Sequence, residues 1–191
     1  SVPFRKYHGL GNDFIIVDAY GPQRISEETL KKIQDPAVIA NLCNRRRGIG
    51  ADGVIFLFDG SNSCEFSTSI INSDGSIAQM CGNGIRCLGK FIKDLQITPS
   101  NRQNSSTAGD EITISTLAGP IKLNFIQNLI CVDMGIPRLR PGQIPTKFEG
   151  SEFALNVLLP FAEMSIYCSC VSMGNPHCVS AVFCIESLKF P

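Results

Sequence analysis

The 191-residue chain is long enough for one sizeable domain or two small ones. Hydrophobic residues make up 43% and charged residues 18%, which excludes a disordered chain. Lys+Arg and Asp+Glu number 17 each, and this zero net charge argues against nucleic acid as a partner, since phosphate binding needs a cationic surplus.

No apolar run approaches membrane-spanning length, so no membrane partner is expected. Nine cysteines, an odd count at scattered spacings and without a C-x-x-C pair, argue against a disulfide framework. Ser1-Val-Pro-Phe-Arg opens almost directly into structured sequence, and no signal peptide is expected. The expectation is a protein of a reducing compartment, not a secreted one.

In chain order, Phe4–Tyr7 and Asp13–Ala19 are predicted strands around the turn His8-Gly-Leu-Gly-Asn12. Ser26 with Glu27 and Glu28 starts a helix to about Gln34, and Asp35-Pro36 restarts it until Gly48. The basic run Arg45-Arg46-Arg47 is expected to cap the helix C-terminus or face solvent. Val54–Phe58 and Cys64–Ile71 are predicted strands, and a helix follows Cys81. Thr98–Gly109 is the most polar segment and is expected to be the most mobile.

Strands resume at Glu111–Thr116, turn at Gly119-Pro120, and continue at Ile121–Gln127 and Leu129–Met134. Gly135–Gly142 breaks the pattern, and the predicted domains are 1–134 and 135–191. Further strands are predicted near Phe153–Leu159, Met164–Met173 and Cys178–Ile185. Mostly strands with two helices point to an α+β fold. Gly11-Asn12-Asp13-Phe14 has a faint echo in Gly174-Asn175-Pro176-His177, which, if it is more than coincidence, implies two similar lobes sharing a cleft.

The segment from Asn72 to Cys87 concentrates the chemistry. An apolar strand enters the polar turn Asn72–Gly75, and Cys81 then stands before Gly82-Asn83-Gly84. Ile85, Leu88, Phe91, Ile92 and Leu95 form one helical face. The first turn of a helix has N–H groups without intrahelical partners, and its dipole favours negative charge. A cysteine there is expected to have a stabilised thiolate, and the same N–H groups suit a carboxylate. A sulfur base beside an anion cradle fits chemistry on the carbon next to a carboxylate. The competing reading is an inert buried cysteine in a plain connection.

Cys87, well over a turn further on, is expected in the core, and His8 is expected to be structural. Cys168 and Cys170 share one face of a strand, but zinc would need two more ligands that the sequence does not place. His177 and Cys178 are neighbours on a strand and should face opposite ways.

Five blocks resemble, in order and spacing, the diaminopimelate epimerase family. They are Lys6-Tyr-His-Gly-Leu-Gly-Asn-Asp-Phe14, Gly48-Ile-Gly-Ala-Asp-Gly53, Asn72-Ser-Asp-Gly75, Met80-Cys-Gly-Asn-Gly-Ile-Arg-Cys87 and Ser172-Met-Gly-Asn-Pro-His177. The resemblance implies two pseudo-symmetric lobes, each a curled, mostly antiparallel sheet around a central helix, with the second lobe incomplete here. It implies interconversion of LL- and meso-diaminopimelate in lysine biosynthesis, with no cofactor and no metal, by two cysteines acting on opposite faces of Cα. Cys81 would be the first of them and His177 would support catalysis. Asn12, Asn72, Gly82, Asn83 and Asn175 would contact the small-molecule substrate. Bacterial cytoplasm or plastid stroma is the implied location, and a homodimer is compatible with the family's habit.

The family's second cysteine, in a Gly-x-Gly-Thr/Ala-Cys stretch, has no match in this sequence, and neither have its C-terminal Asn and Glu-Arg contacts. The resemblance covers about the first two-thirds of a family member. This segment alone is therefore expected to be inactive and poorly soluble, with unpaired sheet edges. The alternatives are a related racemase or isomerase of the same fold, and a truncated, non-catalytic binding protein.

Overall fold

Local sequence rules account for the elements one by one. The computed structural model describes residues 2–21, 25–61, 63–98, 111–161 and 164–181. Strands β1 (Phe4–Gly9) and β2 (Asn12–Asp18) form an antiparallel hairpin through Leu10 and Gly11. Both turn residues have positive φ, 57° and 85°, as a two-residue loop matched to the strand twist requires.

Helix α1 (Glu27–Ile33) is capped by Ser26, whose Oγ accepts the Thr29 N–H at 3.3 Å. Helix α2 (Pro36–Cys43) is capped by Asp35, whose carboxylate accepts from Ala37 and Val38, with Pro36 in the first turn. Helix α2 ends at Cys43 rather than near Gly48. Gly48 instead lets the chain pass back over the helix end: a Cβ there would lie 2.2 Å from the Asn41 carbonyl oxygen.

Strands β3 (Gly53–Asp59), β4 (Phe66–Asn72) and β5 (Ile77–Ala78) lead into helix α3 (Gly82–Asp94). Strands β6 (Glu111–Thr116), β7 (Gly119–Ile126) and β8 (Leu129–Val132) follow. The turn before β7 is at residues 117–118, so Gly119 and Pro120 already belong to the strand. The polar segment expected at Thr98–Gly109 lies, from residue 99, outside the described residues.

The chain divides into two compact units, Ser1–Met134 and Gly135–Pro191. In the first, the sheet runs β1-β2-β3-β4-β6-β7-β8, with β5 also paired to β4. The pairs β2–β3 and β4–β6 are parallel and the others antiparallel. Seven strands laid flat would separate the edges by roughly 29 Å at ~4.8 Å per step. A helix is only about 10–12 Å across, yet both edges, β1 and β8, pack on α3. The sheet therefore curls around this helix.

Its inner face packs Phe14, Ile16, Ile55, Leu57, Phe66 and Ile114 against Ile85, Leu88 and Phe91 of α3. Its outer face packs Ile15, Val17, Val54 and Phe56 with Ile39 and Cys43 of α2. Covered on both faces, β2 and β3 read as continuous apolar runs rather than alternating ones.

In the second unit, β9 (Val157–Phe161), β10 (Met164–Ser172) and β11 (Pro176–Val179) form an antiparallel sheet in the order β11-β10-β9. The last strand was expected from Cys178 to Ile185. It begins instead at Pro176, because Ser172 pairs with Pro176 across a short turn, and residues 182–185 lie outside the described residues. Among the described residues, no helix is long and apolar enough to cross a membrane.

Candidate active site

Cys81 is the N-cap of α3, with extended backbone at φ −143° and ψ 111°. Strand β5 ends three positions earlier, so it delivers the thiol directly to the helix start. Its Sγ accepts the Gly84 N–H at 3.4 Å, and its carbonyl accepts the Ile85 N–H at 2.8 Å. The N–H groups of Gly82 and Asn83 sit in the same first turn, where no intrahelical acceptor exists for them. Cys81 is half-buried. Two glycines keep the approach narrow: a Cβ on Gly84 would stand 3.0 Å from Ile55 Cδ1 and 3.5 Å from Cys81 Sγ. A Cβ on Gly82 would meet Met134 Sδ at 3.4 Å.

The β1–β2 hairpin brings Asn12 to this thiol. Asn12 Oδ1 lies 3.8 Å from Cys81 Sγ and accepts from Asn83 Nδ2 at 3.3 Å. Arg86 donates in turn to Asn83 Oδ1. On its other side, Asn12 Nδ2 donates to Asp52 Oδ2 at 2.8 Å, and the Asp13 N–H donates to the same oxygen at 3.0 Å. Asp52 thereby fixes which end of the Asn12 amide faces the thiol: the oxygen, an acceptor for S–H.

The network extends to four charges. Arg45 donates to Asp13 Oδ1 at 2.6 Å and to Asp52 Oδ1 at 2.8 Å, and Lys6 pairs with Asp13 at 2.9 Å. The Arg45 hydrogen bonds hold the Asp13 carboxyl well below its usual range; partial burial opposes this and Lys6 adds to it. The same carboxylates raise the Arg45 guanidinium.

Arg45 was expected to cap α2 or face solvent; it is exposed, as are Arg46 and Arg47, and it also ties the Asp13 and Asp52 loops together. Asn44 performs a terminal role, accepting from the backbone N–H groups of Arg46 and Arg47. Asp52 lies in the Gly48–Gly53 block, but its partner Asn12 is forty residues away, and no local pattern marks such a pair.

The remaining candidates fall elsewhere. Asn72 ends β4 and donates to Ser76 Oγ at 3.0 Å, closing the turn that leads to Cys81. Asn175 and His177 lie in the second unit, in the turn before β11 and on that strand. His177 Nδ1 donates to the Asn175 carbonyl at 2.8 Å, which makes Nε2 the acceptor of the neutral ring. Cys87 is 3% exposed in the core, and burial pushes its thiol up to about 11. The structure thus joins Cys81, Asn12 and Asn83 in direct contact, with Gly82 in the same turn.

A thiol on a helix N-terminus, an amide oxygen facing it and flanking glycines form a small polar site able to accept a carboxylate and exchange a proton. The family model described as Diaminopimelate epimerase matches residues 4–139. The diaminopimelate epimerase of Nostoc punctiforme is 41% identical over 191 residues, covering 99% of this chain and 63% of that protein. One from a Synechococcus strain is 46% identical over 178 residues, covering 92% and 57%. The chain thus spans less than two thirds of the length of the curated relatives it matches.

Among solved structures, a hydroxyproline epimerase from Agrobacterium vitis superposes with a TM-score of 0.59 at 11% identity, covering 92% of this chain and 50% of that one. A phenazine biosynthesis protein from Bacillus anthracis gives 0.52 at 17%, covering 94% and 54%. These two show a shared fold. With a family model matched across the whole α3 unit and its curled α+β sheet, the chain belongs to the diaminopimelate epimerase family.

Proposed function

We propose that the protein carrying this chain is a cofactor-independent epimerase that interconverts LL- and meso-diaminopimelate in lysine biosynthesis. Cys81 is one of two acid/base groups at Cα. The observation that carries this reading is the placement of Cys81 Sγ at the α3 N-terminus, 3.4 Å from the Gly84 N–H and 3.8 Å from Asn12 Oδ1.

Inverting a stereocentre removes a proton from one face and delivers one to the other, so two acid/base groups are needed. Cys81 supplies one face: its sulfur accepts the Gly84 N–H at 3.4 Å and faces Asn12 Oδ1 at 3.8 Å, an acceptor for S–H. The other face needs a second donor, a cysteine by family resemblance. Negative charge developing on the substrate carboxylate is met by the first-turn N–H groups, fixed dipoles that need no reorganisation. In this reading Asn12, Asn72, Gly82, Asn83 and Asn175 contact substrate, with His177 supporting catalysis. A bacterial cytoplasm or plastid stroma and a homodimer complete the proposal.

The test is deuterium incorporation at Cα of LL- and meso-diaminopimelate in D₂O. Full-length protein and its Cys81→Ser variant are compared by NMR. Inversion is expected to fall by about 10²–10⁴-fold in the variant, the usual weight of an acid/base group. Unchanged inversion in Cys81→Ser would sink the assignment, and silence of the unaltered protein on both isomers would sink the substrate.

A further inference from the structure

A cluster of thiols lies in the second unit, apart from the chemistry assigned to Cys81. Strand β10 carries Cys168 and Cys170 two residues apart, hence on one face. In the ladder with β11, Cys170 stands directly opposite Cys178. The Cys170 N–H donates to the Ala154 carbonyl at 2.8 Å, on the β9 side, so it makes no bond toward β11. The Cys170–Cys178 pair is thus of the narrow, non-hydrogen-bonded kind, with Cα atoms about 4.5 Å apart and side chains on the same face. His177, one residue earlier on β11, takes the opposite face.

The three Sγ atoms all lie within 4.8 Å of one another. We propose that Cys168, Cys170 and Cys178 form a binding site for one soft metal ion of the Zn²⁺ or Cd²⁺ type, held by three thiolates. With metal–sulfur bonds of about 2.3 Å, three ligands sit roughly 3.8–4.0 Å apart. The cluster needs a contraction of under about 1 Å from its present limit, within reach of small side-chain rotations. Burial is graded: Cys168 is buried, Cys170 half-buried and Cys178 exposed. The first two form a fixed floor and the third an open rim, which gives the metal an entry path and leaves a fourth position to solvent. Each thiol proton is released to solvent as its sulfur–metal bond forms, and the metal keeps its oxidation state.

The experiment uses purified protein, reduced with a phosphine, stripped of metal by chelation and titrated anaerobically with Cd²⁺. Cadmium–thiolate charge-transfer absorption is the readout. Saturation at one equivalent is expected, with Zn²⁺ displacing the band. Cys178→Ser and Cys170→Ser should each weaken binding at least about tenfold, while Cys131→Ser on β8 leaves it unchanged. Cys178 is exposed, so its replacement leaves the packing intact, and circular dichroism checks the fold of each variant. The proposal is overturned if Cys178→Ser binds as tightly as the unaltered protein. It is also overturned if Cys81→Ser abolishes the band, or if Cys170 and Cys178 emerge as a disulfide under the reducing conditions.

Discussion

At the scale of single residues, the three helices show what Cys81 gives up. Ser26 and Asp35 cap α1 and α2 with oxygen acceptors, whereas α3 begins on a sulfur 3.4 Å from its N–H. Serine is among the preferred N-caps, and at this position its oxygen accepts more strongly than a thiol. Cys81→Ser should therefore be as stable as the unaltered protein or more stable, while Cys81→Ala should lose about 0.5–2 kcal/mol relative to the serine variant. Urea denaturation of the two variants checks the order, and a serine variant that is less stable than the alanine one refutes the capping argument.

The Asp52 carboxylate acts one bond further out, by turning the Asn12 amide oxygen toward the thiol. Asp52→Ala should cost up to about 1.5–3 kcal/mol, the worth of the charge-assisted hydrogen bond that the half-buried Asn12 amide loses. For the proposed epimerase it should show as a fall in kcat/KM. Asp13 gives a pH prediction. Its folded pKa is depressed, so its stabilising contribution is complete above the unfolded value of about 3.9 and is lost as pH falls through the folded one. Stability measured between about pH 5 and about pH 2 should fall more steeply in the unaltered protein than in Asp13→Asn.

At the scale of elements, α3 carries the site because one face is packed while the N–H groups of its first turn have no intrahelical acceptor. Leu88 is fully buried in the inner core, and Leu88→Ala should destabilise by about 2–5 kcal/mol, read from denaturant midpoints. Gly89 lets the β7–β8 edge close on the helix: a Cβ there would lie 2.7 Å from Leu123 Cδ2 and 3.3 Å from Ile130 Cγ2. The apolar face of α3 and the caps of α1 and α2 were legible in the sequence because helical period and capping are local. The strand Glu111–Thr116 was legible for the same reason, and so was β4, expected at Cys64–Ile71 and found at Phe66–Asn72. The parallel joins β2–β3 and β4–β6 were not, since each links strands across a long intervening stretch and leaves no mark in either strand. The contact Asn12–Asp52 depends on the β2–β3 register and Cys170–Cys178 on the β10–β11 hairpin, so both became visible only with the sheets in place.

At the scale of the whole chain, burial ranks the thiols of the described residues. Cys131 and Cys178 are exposed, Cys81 and Cys170 half-buried, and Cys43, Cys64, Cys87 and Cys168 buried. Burial, with the neighbouring sulfurs of Cys178 and Cys170, pushes the Cys168 thiol up to about 11. Maleimide labelling followed by peptide mass spectrometry, with metal removed, should modify the first pair fastest and the buried four only on unfolding. Early labelling of Cys87 would contradict the packing of α3.

The closure of the sheet on α3 has a consequence for the protein while it is being made. The helix needs both β1, at the chain's beginning, and β8, which follows it by many residues. Roughly fifty residues separate Cys81 from the end of β8, and at about 5–20 residues per second their synthesis takes on the order of 3–10 s. During that interval one wall of the helix is unbuilt, and the Ile85, Leu88 and Phe91 stripe and the Cys81 thiol are open to whatever surrounds the ribosome. The most sensitive moment for this sulfur is therefore its own translation.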